Sequence, residues 1–572
     1  MSRTPVSTLG GVSNWVPTRN DFKDRLISFG SGDATQWILS RINEGELLVT
    51  DAQGKLLRRQ LASGQSVTVG YGAGTGKPSS LTDDFGRTIA TNYADVAGSQ
   101  LLSSVVDPAG NVVSYAYNSA SQLSGFTYPD GRSKTYLWDE PSFSSGSAPA
   151  GGKLTGIVDE QGVRYTTFTY ANGFAVGSEH ALGTDKYQIN DSRTGLPLVG
   201  NVNVTYPTGA SFTSVYADVI GQSRAVSDTQ PAGSGCTAAN SFRSFDGNGN
   251  LASSVDLDGH QSCFVSDLNT NFPIVRVEGL AGGASCAVTS AGASLPAGSR
   301  KTSTQWHPDW RLASRVAEPG RITTSVYNGQ PDPFAGGALA SCAPSTATLQ
   351  DGKPIAVLCR EVQQATTDVD GSQGFSAQAQ AGVAVREQRW SYNQLGQMLS
   401  ATDPLGHTTT FAYYGDTAFT GSNPTAVGHT AGDLSTETNP AGHVTRYTAY
   451  NKTGQVLQSV DPNGVVTTHQ YDARQRLIST STGGQTTTLA YWPTGLLQSM
   501  TRPDGSSLSY GYDDAHRLIQ VSDNLGNSVS YTLDNAGNRI AEAVRDPSLT
   551  LRRSLGRSVD ALGRVQQITG RL

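Results

Sequence analysis

The sequence is poor in charge and has no long apolar run. Only 15% of its 572 residues are charged, which argues against a long solvated helix or a coiled coil. No stretch approaches the roughly 20 apolar residues that a membrane helix needs, so no membrane span is expected. The formal net charge is −6 and no basic block occurs. Nucleic acid is therefore not an expected partner.

Motifs of the common catalytic classes are also missing. The sequence contains no GxSxG nucleophile motif and no HExxH metal motif. The glycine-rich run that ends at Lys77 has the wrong spacing for a phosphate-binding loop, and the eight histidines are scattered. We therefore predict no catalytic residue, no cofactor and no metal site, and we expect that the chain is not an enzyme.

Cysteines are few, and none stands in a CxxC pair or at zinc-finger spacing from histidine. Small buried thiols are the favoured interpretation. One or two disulfides are the alternative, with Cys342 and Cys359 as the candidate pair because they are close in sequence; a metal site is the least favoured. The five cysteines are Cys236, Cys263, Cys286, Cys342 and Cys359.

The first 24 residues contain no apolar core of a secretory signal. We therefore expect a protein that is cytoplasmic before export and then secreted or displayed on the cell surface by a route without a classical signal peptide. The sequence stops within a repeat, so we also expect that a continuation of the chain or another chain covers the last strand.

Glycine is abundant and regularly placed. The 65 glycines are above the average share of roughly 7%, and in the last third of the sequence turn glycines stand 22, 20, 21 and 21 residues apart. A second turn falls between each pair, so a turn comes about every ten residues. This is the spacing of short antiparallel strands.

Each turn has a chemical reason. Asp461, Pro462 and Gly464 occupy the first, second and fourth positions of a type I turn, and glycine there takes a positive φ at little cost. Gln475 and His516 replace this glycine in two repeats, so we expect altered, mildly strained turns there. The other structural turn glycines are Gly110, Gly131, Gly406, Gly454, Gly495, Gly505 and Gly526.

Large residues occupy the fifth and seventh positions after the turn glycines, with small or polar residues between them. A period of two places the large residues on one face of a strand. We therefore expect Tyr510, Tyr531, Leu489 and Phe411 to be substantially buried on one face, with Ser509 on the other. The repeat aromatics are Tyr115, Tyr117, Tyr413, Tyr471, Tyr491, Tyr510, Tyr512 and Tyr531.

These patterns predict an all-β fold of repeated antiparallel hairpins, about 21 residues each. Residues 1–75 read as a β lead-in and residues 76–180 as clear repeats. Residues 181–390 read as degenerate repeats that hold every cysteine and two predicted surface loops, 279–299 and 331–349. Residues 391–572 are the most regular repeats.

Three units together resemble the repeated core of the Rhs/YD-repeat family: Tyr471-Asp472-x-x-x-Arg476-Leu477, Tyr450-Asn451-x-x-Gly454-Gln455-Val456 and Asp461-Pro462-Asn463-Gly464. The resemblance implies a β-sheet ribbon that spirals into a hollow shell. In bacterial relatives such a shell encloses a C-terminal toxin used in competition, often delivered by type VI secretion; in animal relatives it is part of adhesion proteins.

We therefore expect a structural shell segment that encloses or presents a toxin. The expected partners are the toxin domain or a continuation of the shell, and a secretion apparatus. The alternative is a cell-surface adhesin that binds carbohydrate or protein through the sheet surface.

Overall fold

The computed structural model describes residues 4–9, 12–16, 21–30, 32–146, 151–290 and 292–571. This part of the chain forms β-strands, turns and a few single-turn 3-10 helices, and it contains no α-helix. The predicted all-β fold of antiparallel hairpins is confirmed. No helix in the described ranges is long and apolar enough to cross a membrane.

The strands of the first half are β1 Thr4–Leu9, β2 Val12–Val16, β3 Arg25–Phe29, β4 Gln36–Arg41, β5 Glu46–Thr50, β6 Leu56–Leu61, β7 Ser66–Tyr71, β8 Pro78–Asp83, β9 Thr88–Val96, β10 Ser99–Val106, β11 Val112–Tyr117, β12 Leu123–Thr127, β13 Ser133–Trp138, β14 Ser144–Ser145, β15 Leu154–Val158, β16 Arg164–Ala171, β17 Phe174–His180, β18 Thr184–Asp191, β19 Gly200–Thr205, β20 Ser211–Val219, β21 Gln222–Gln230, β22 Ala239–Phe245, β23 Leu251–Val255 and β24 His260–Asp267.

The strands of the second half are β25 Phe272–Ala281, β26 Arg300–Trp306, β27 Ala313–Glu318, β28 Arg321–Tyr327, β29 Leu358–Ala365, β30 Arg386–Tyr392, β31 Met398–Thr402, β32 Thr408–Tyr413, β33 Ala418–Thr420, β34 Val427–His429, β35 Leu434–Thr438, β36 Val444–Tyr450, β37 Val456–Val460, β38 Val466–Tyr471, β39 Leu477–Thr482, β40 Gln485–Tyr491, β41 Leu497–Thr501, β42 Ser507–Tyr512, β43 Leu518–Asp523, β44 Ser528–Leu533, β45 Arg539–Arg545, β46 Leu551–Val559 and β47 Val565–Arg571. The 3-10 helices are Gly32–Ala34, Pro141–Phe143, Ala181–Gly183, Cys286–Thr289, Pro333–Ala335 and Gly374–Ser376.

The chain forms two compact units, each built from separate stretches of sequence. Unit 1 contains residues 1–89, 241–418 and 429–447, and unit 2 contains the remaining residues. In unit 1, β1–β8 and β22–β32 pair antiparallel in chain order. In unit 2, β37–β47 do the same. Because neighbouring strands are also neighbours in sequence, each stretch is a ribbon of hairpins.

The turn after β37 shows how the repeat closes each hairpin. One carboxylate oxygen of Asp461, Oδ1, accepts hydrogen bonds from the backbone N–H groups of Asn463 at 2.9 Å and Val465 at 2.8 Å. The amide of Gly464 donates to the Asp461 carbonyl at 3.0 Å, and Gly464 has a φ of +82°. The aspartate side chain therefore ties together the same backbone that the glycine allows to turn.

The strand register places the large residues of adjacent repeats on one face. Tyr510 pairs with Val521, Val521 pairs with Val529, and Tyr531 lies two positions beyond Val529 on the same strand. Ser509 points the other way and is exposed. The shared face is as expected, but Tyr510 and Tyr531 are half-buried rather than substantially buried, because neighbouring side chains on the same face shield each ring only in part.

The seventh-position tyrosines have a role that the alternation does not reveal. In four of them the hydroxyl donates to a backbone carbonyl 14 or 15 residues earlier in the chain. The donor–acceptor pairs are Tyr117–Leu102, Tyr413–Met398, Tyr471–Val456 and Tyr491–Leu477, at 2.8, 2.8, 3.2 and 2.8 Å. Burial raises the pKa of Tyr413 and Tyr471, so the hydroxyls stay protonated donors. Tyrosine rather than phenylalanine therefore fits this position.

The main apolar core of unit 1 contains a segment that was expected on the surface. Ala343, Ala347 and Leu349 are buried against Ile38 and Trp310. The prediction of a surface loop over 331–349 is wrong for this part, because its small alanines fit closely against the strands of the lead-in. Glycine and alanine content alone does not distinguish such a packed segment from a solvated loop.

The cysteine interpretation also needs correction. The structure contains two disulfides, Cys263–Cys286 and Cys342–Cys359, whereas Cys236 is a free, half-buried thiol. Buried thiols were favoured, but four of the five cysteines are paired. Cys263–Cys286 ties the segment between β25 and β26 to β24, and Cys342–Cys359 ties the segment between β28 and β29 to the start of β29. Both pairings arise from the fold rather than from the repeat.

We predict that Gly464→Val lowers the free energy of unfolding by more than about 1 kcal/mol, because a β-branched residue is strongly disfavoured at positive φ. No atom lies within 4 Å of an added Cβ, so the cost is one of backbone conformation rather than collision. Gly464→Asn is the matched control and should cost less, since asparagine tolerates this conformation. Urea denaturation measures the free energy of unfolding of both variants. Equal values for the two variants would contradict the turn assignment.

We predict that replacing both Cys342 and Cys359 by serine lowers stability by up to about 3 kcal/mol, the value expected for a loop of this length. The bond closes 17 residues, including the buried Ala347 and Leu349. Urea denaturation, monitored by tryptophan fluorescence, should show a lower midpoint for the variant. Adding reductant should reduce the difference in midpoint between the variant and the wild type. An unchanged midpoint under oxidising conditions would refute the proposed stabilisation.

Candidate functional site

In unit 2 the turns of early repeats contact the turns of late repeats. The side-chain amide of Gln475 donates to Asp107 Oδ2 at 2.5 Å, although the two residues are 368 positions apart. Gln475 stands at the glycine position of its turn and has a φ of +68°. The altered turn thus supplies a side chain that a glycine would not have. We call the contacts between turns of early repeats and turns of late repeats the turn-to-turn seam of unit 2.

Arg474, the neighbour of Gln475, makes a second contact. Its guanidinium donates to Asp130 Oδ1 at 3.0 Å and lies 3.8 Å above the Tyr128 ring. Burial alone would raise the pKa of Asp130, but the hydrogen bonds and charge of Arg474 outweigh it and lower that pKa. The same guanidinium lies 3.8 Å from Glu160, a fully buried carboxylate that also lies 3.6 Å from Lys134.

His516 makes a third contact from the other altered turn. Its Nε2 lies 2.8 Å from Asp159 Oδ2, 357 positions away, and its ring stacks on Tyr165 with centroids 4.2 Å apart. His516 has a φ of +62°. The Asp159 side chain is 1% exposed, so His516 is a partner of a buried carboxylate. Both predicted altered turns therefore reach a distant repeat.

The seam continues toward the last strands. The amide of Asp185 donates to the Asn535 carbonyl at 2.8 Å. The amide of Ser234 donates to Asp560 Oδ2 at 2.8 Å, and Arg564 donates to the Ser234 carbonyl at 2.9 Å. Hydrogen bonds, led by the Arg564 amide, lower the pKa of Asp560. Later residues of the early repeats generally contact later residues of the late repeats. The ribbon of early repeats and the ribbon of late repeats therefore run in the same direction.

Each turn aspartate at this seam makes contacts both within its own turn and with a distant repeat. In Asp107, Asp159 and Asp560, Oδ1 accepts backbone N–H groups of its own turn. Oδ2 of the same residue accepts from the distant repeat, and in Asp107 and Asp560 it also accepts from a side chain of its own turn, Asn111 or Arg564. One carboxylate therefore closes a hairpin and joins two ribbons, and an asparagine could supply only the first of these acceptors.

Unit 1 contains contacts of the same kind. The amide of Gln350 donates to the side chain of Gln60 at 2.9 Å, 290 positions away, and the amide of Ala356 donates to the Ala62 carbonyl at 2.7 Å. Arg25 pairs with Asp309 at 2.6 Å, 284 positions away. In each unit, then, stretches of ribbon hundreds of residues apart are fastened side by side.

The structural turn residues predicted from sequence lie at the turns, and their glycines all have positive φ: Gly110, Gly131, Gly406, Gly454, Gly464, Gly495, Gly505 and Gly526. Asp461 and Pro462 lie in the same kind of turn. The fifth-position Tyr115 packs edge to face on Phe126 at 5.5 Å, and Tyr531 lies under Arg539 at 4.0 Å. Sequence reasoning missed the seam partners; the signal available for two of them was a missing glycine.

One group of potential metal ligands lies in a turn of unit 1. Asp256, Asp258 and His260 place their ligand atoms within 4.8 Å of one another, and all three are exposed. Asp256 Oδ1 already accepts the amides of Asp258 and His260 as a turn aspartate. The turn explains this arrangement without a metal.

A protein-family model described as RHS Repeat matches residues 450–487, 491–526 and 512–548. Residues 450–548 therefore contain RHS repeats. The matched residues include Gln475 and His516, so both altered turns of the seam belong to RHS repeats. No curated protein matches the chain.

Among solved structures, this chain is similar to a chain in the crystal structure of TcdB2-TccC3-Cdc42. The identity is 12%, the TM-score is 0.52, and the match covers 94% of this chain but 27% of that one. A chain in the structure of a Photorhabdus luminescens Tc holotoxin pore is 13% identical, with a TM-score of 0.31 and coverage of 98% and 26%. The first likeness shows the fold; this chain spans about a quarter of that neighbour's length.

We predict that His516→Gly destabilises the protein by about 1–3 kcal/mol although it restores the repeat's own glycine, because it removes the partner of a buried carboxylate. Leu549→Gly is the matched control: Leu549 also has positive φ, at +62°, but its side chain is 69% exposed. That variant should be neutral or stabilising. Thermal denaturation and hydrogen exchange near Asp159 measure both, and equal effects of the two substitutions would contradict a role for the seam.

Proposed function

We propose that the chain forms part of the wall of a shell that encloses or presents a toxin in bacterial competition. The observation that carries this proposal is the turn-to-turn seam in unit 2. Hairpin pairing extends a sheet along the chain only, whereas contacts such as Gln475–Asp107 and His516–Asp159 extend it across the ribbon. A surface continuous in two directions is what an enclosure requires.

The composition of the seam fits a structural role. Its carboxylates are occupied by backbone amides, by Arg474 or by His516. The likeness in fold to the chain in TcdB2-TccC3-Cdc42 also supports a role as part of a shell. We propose accordingly that the chain works as a container or platform and does not itself catalyse. The comparisons give no support to the adhesin alternative.

The partners in this proposal are a toxin segment or a continuation of the shell, and a secretion apparatus such as type VI. The two disulfides favour export, because such bonds persist in oxidising compartments and are rare in the cytosol. The protein would then be cytoplasmic before export, by a route without a classical signal peptide, and oxidised after it.

Protease protection tests enclosure. The complete natural gene product that carries these repeats is treated with proteinase K, and fragments from outside residues 1–572 are followed by mass spectrometry. We expect those fragments to be protected in the wild type and in Leu549→Gly. They should be cleaved faster in the double variant Gln475→Gly/His516→Gly, because that variant loosens the seam.

Equal, rapid cleavage of the outside fragments in all three proteins, with the repeats still intact, would refute enclosure. Intact repeats in the double variant show that any faster cleavage reflects opening of the wall and not unfolding of the chain.

A further inference from the structure

A cavity of about 630 Å³ lies in unit 1 on one face of β26–β28. Part of its floor is a row of cross-strand partners: Gln305 pairs with Arg315, and Arg315 pairs with Thr324. Phe334, from the segment that follows β28, forms part of the wall. The volume falls within the range of roughly 300–1,000 Å³ typical of ligand sites. This cavity is separate from the turn-to-turn seam of unit 2.

Arg315 is the single charged residue among the described residues that line the cavity. Its guanidinium lies 4.9 Å above the ring of Phe375, and it makes no ion pair or hydrogen bond with the described part of the chain. It is half-buried. Stacking on Phe375 therefore holds in place a cation whose hydrogen-bond donors are all free. A planar guanidinium of this kind matches the two oxygens of a carboxylate.

The other polar groups of the lining are neutral. Gln305, Gln330 and Gln364 line the cavity, and their side-chain amides make no hydrogen bond within the described ranges. His307 is 5% exposed, and burial lowers its pKa to about 4, so it adds no charge at neutral pH. Primary amides both donate and accept, which suits ligand hydroxyl groups. An apolar ligand would leave these amides without hydrogen-bond partners, which would make its binding free energy less favourable.

Phe334 adds an apolar surface. Arg360 covers one face of the ring at 4.9 Å, yet Phe334 keeps 42% of its surface exposed. An exposed aromatic ring beside unpaired amides can pack against the C–H groups of a sugar ring while the amides bind its hydroxyls. The geometry points to a binding site for a saccharide that carries a carboxylate, with the carboxylate on Arg315, the hydroxyls on the glutamines and the sugar ring on Phe334.

Two disaccharides that differ only at C6, a carboxylate in one and a hydroxymethyl group in the other, test this site. Digalacturonate and digalactose with the same linkage are titrated into the full chain by calorimetry, with saturation-transfer NMR as a second readout. We expect digalacturonate to bind at least about tenfold more tightly, the effect of one charge-assisted hydrogen-bonded pair. Arg315→Gln should abolish this preference and leave the weaker binding of digalactose unchanged.

Arg321→Gln is the matched control, because Arg321 lies on the same strand as Thr324 but is exposed and paired with Glu318. It should keep the wild-type preference. Phe334→Ala changes an exposed ring and should weaken both disaccharides, which keeps the proposal testable if Arg315→Gln fails to fold. The proposal is overturned if neither disaccharide binds, if the acid is not preferred, or if the preference survives in Arg315→Gln.

Discussion

The fold depends on an interaction that recurs in many of its turns: a side-chain oxygen of the first turn residue accepts the amides of the third and fifth turn residues. Asp461, Asn451 and Asp523 all do this. The interaction fixes where a strand ends and therefore the register of the next strand. Register in turn places every large side chain, because a slip of one residue would reverse the faces. A sheet with little deep apolar core can keep its order in this way.

The same turns then decide what the ribbon can build. An aspartate whose Oδ1 is used within its own turn still offers Oδ2 to the outside, as Asp107 and Asp159 do. Hairpin closure and ribbon joining therefore share one residue. Because the partners advance along both ribbons together, each added repeat supplies another possible fastening point. Without these contacts the turns along the border of a ribbon would be solvated, and no interaction would hold neighbouring ribbons together.

The sequence was sufficient to predict the local structure. Turn chemistry and alternation act over a few residues, so hairpins, the shared face of Tyr510 and Tyr531 and the β-rich fold follow from them. The pairing of Cys263 with Cys286 and the burial of Ala347 do not follow, because both depend on how inserted segments return to the sheet. The distance between Gln475 and Asp107 depends on the path of several hundred intervening residues, and local sequence patterns do not predict it.

Departures from the repeat nevertheless carried information. A non-glycine residue at positive φ costs of order 1 kcal/mol or more. At Gln475 and His516 the compensation is a contact with a distant carboxylate, whereas the exposed Leu549 has no such contact through its side chain. Strain alone therefore does not mark a functional turn. The combination does: a polar side chain in the glycine position, long enough to reach beyond its own hairpin, is the pattern by which further seam residues in RHS repeats should be sought.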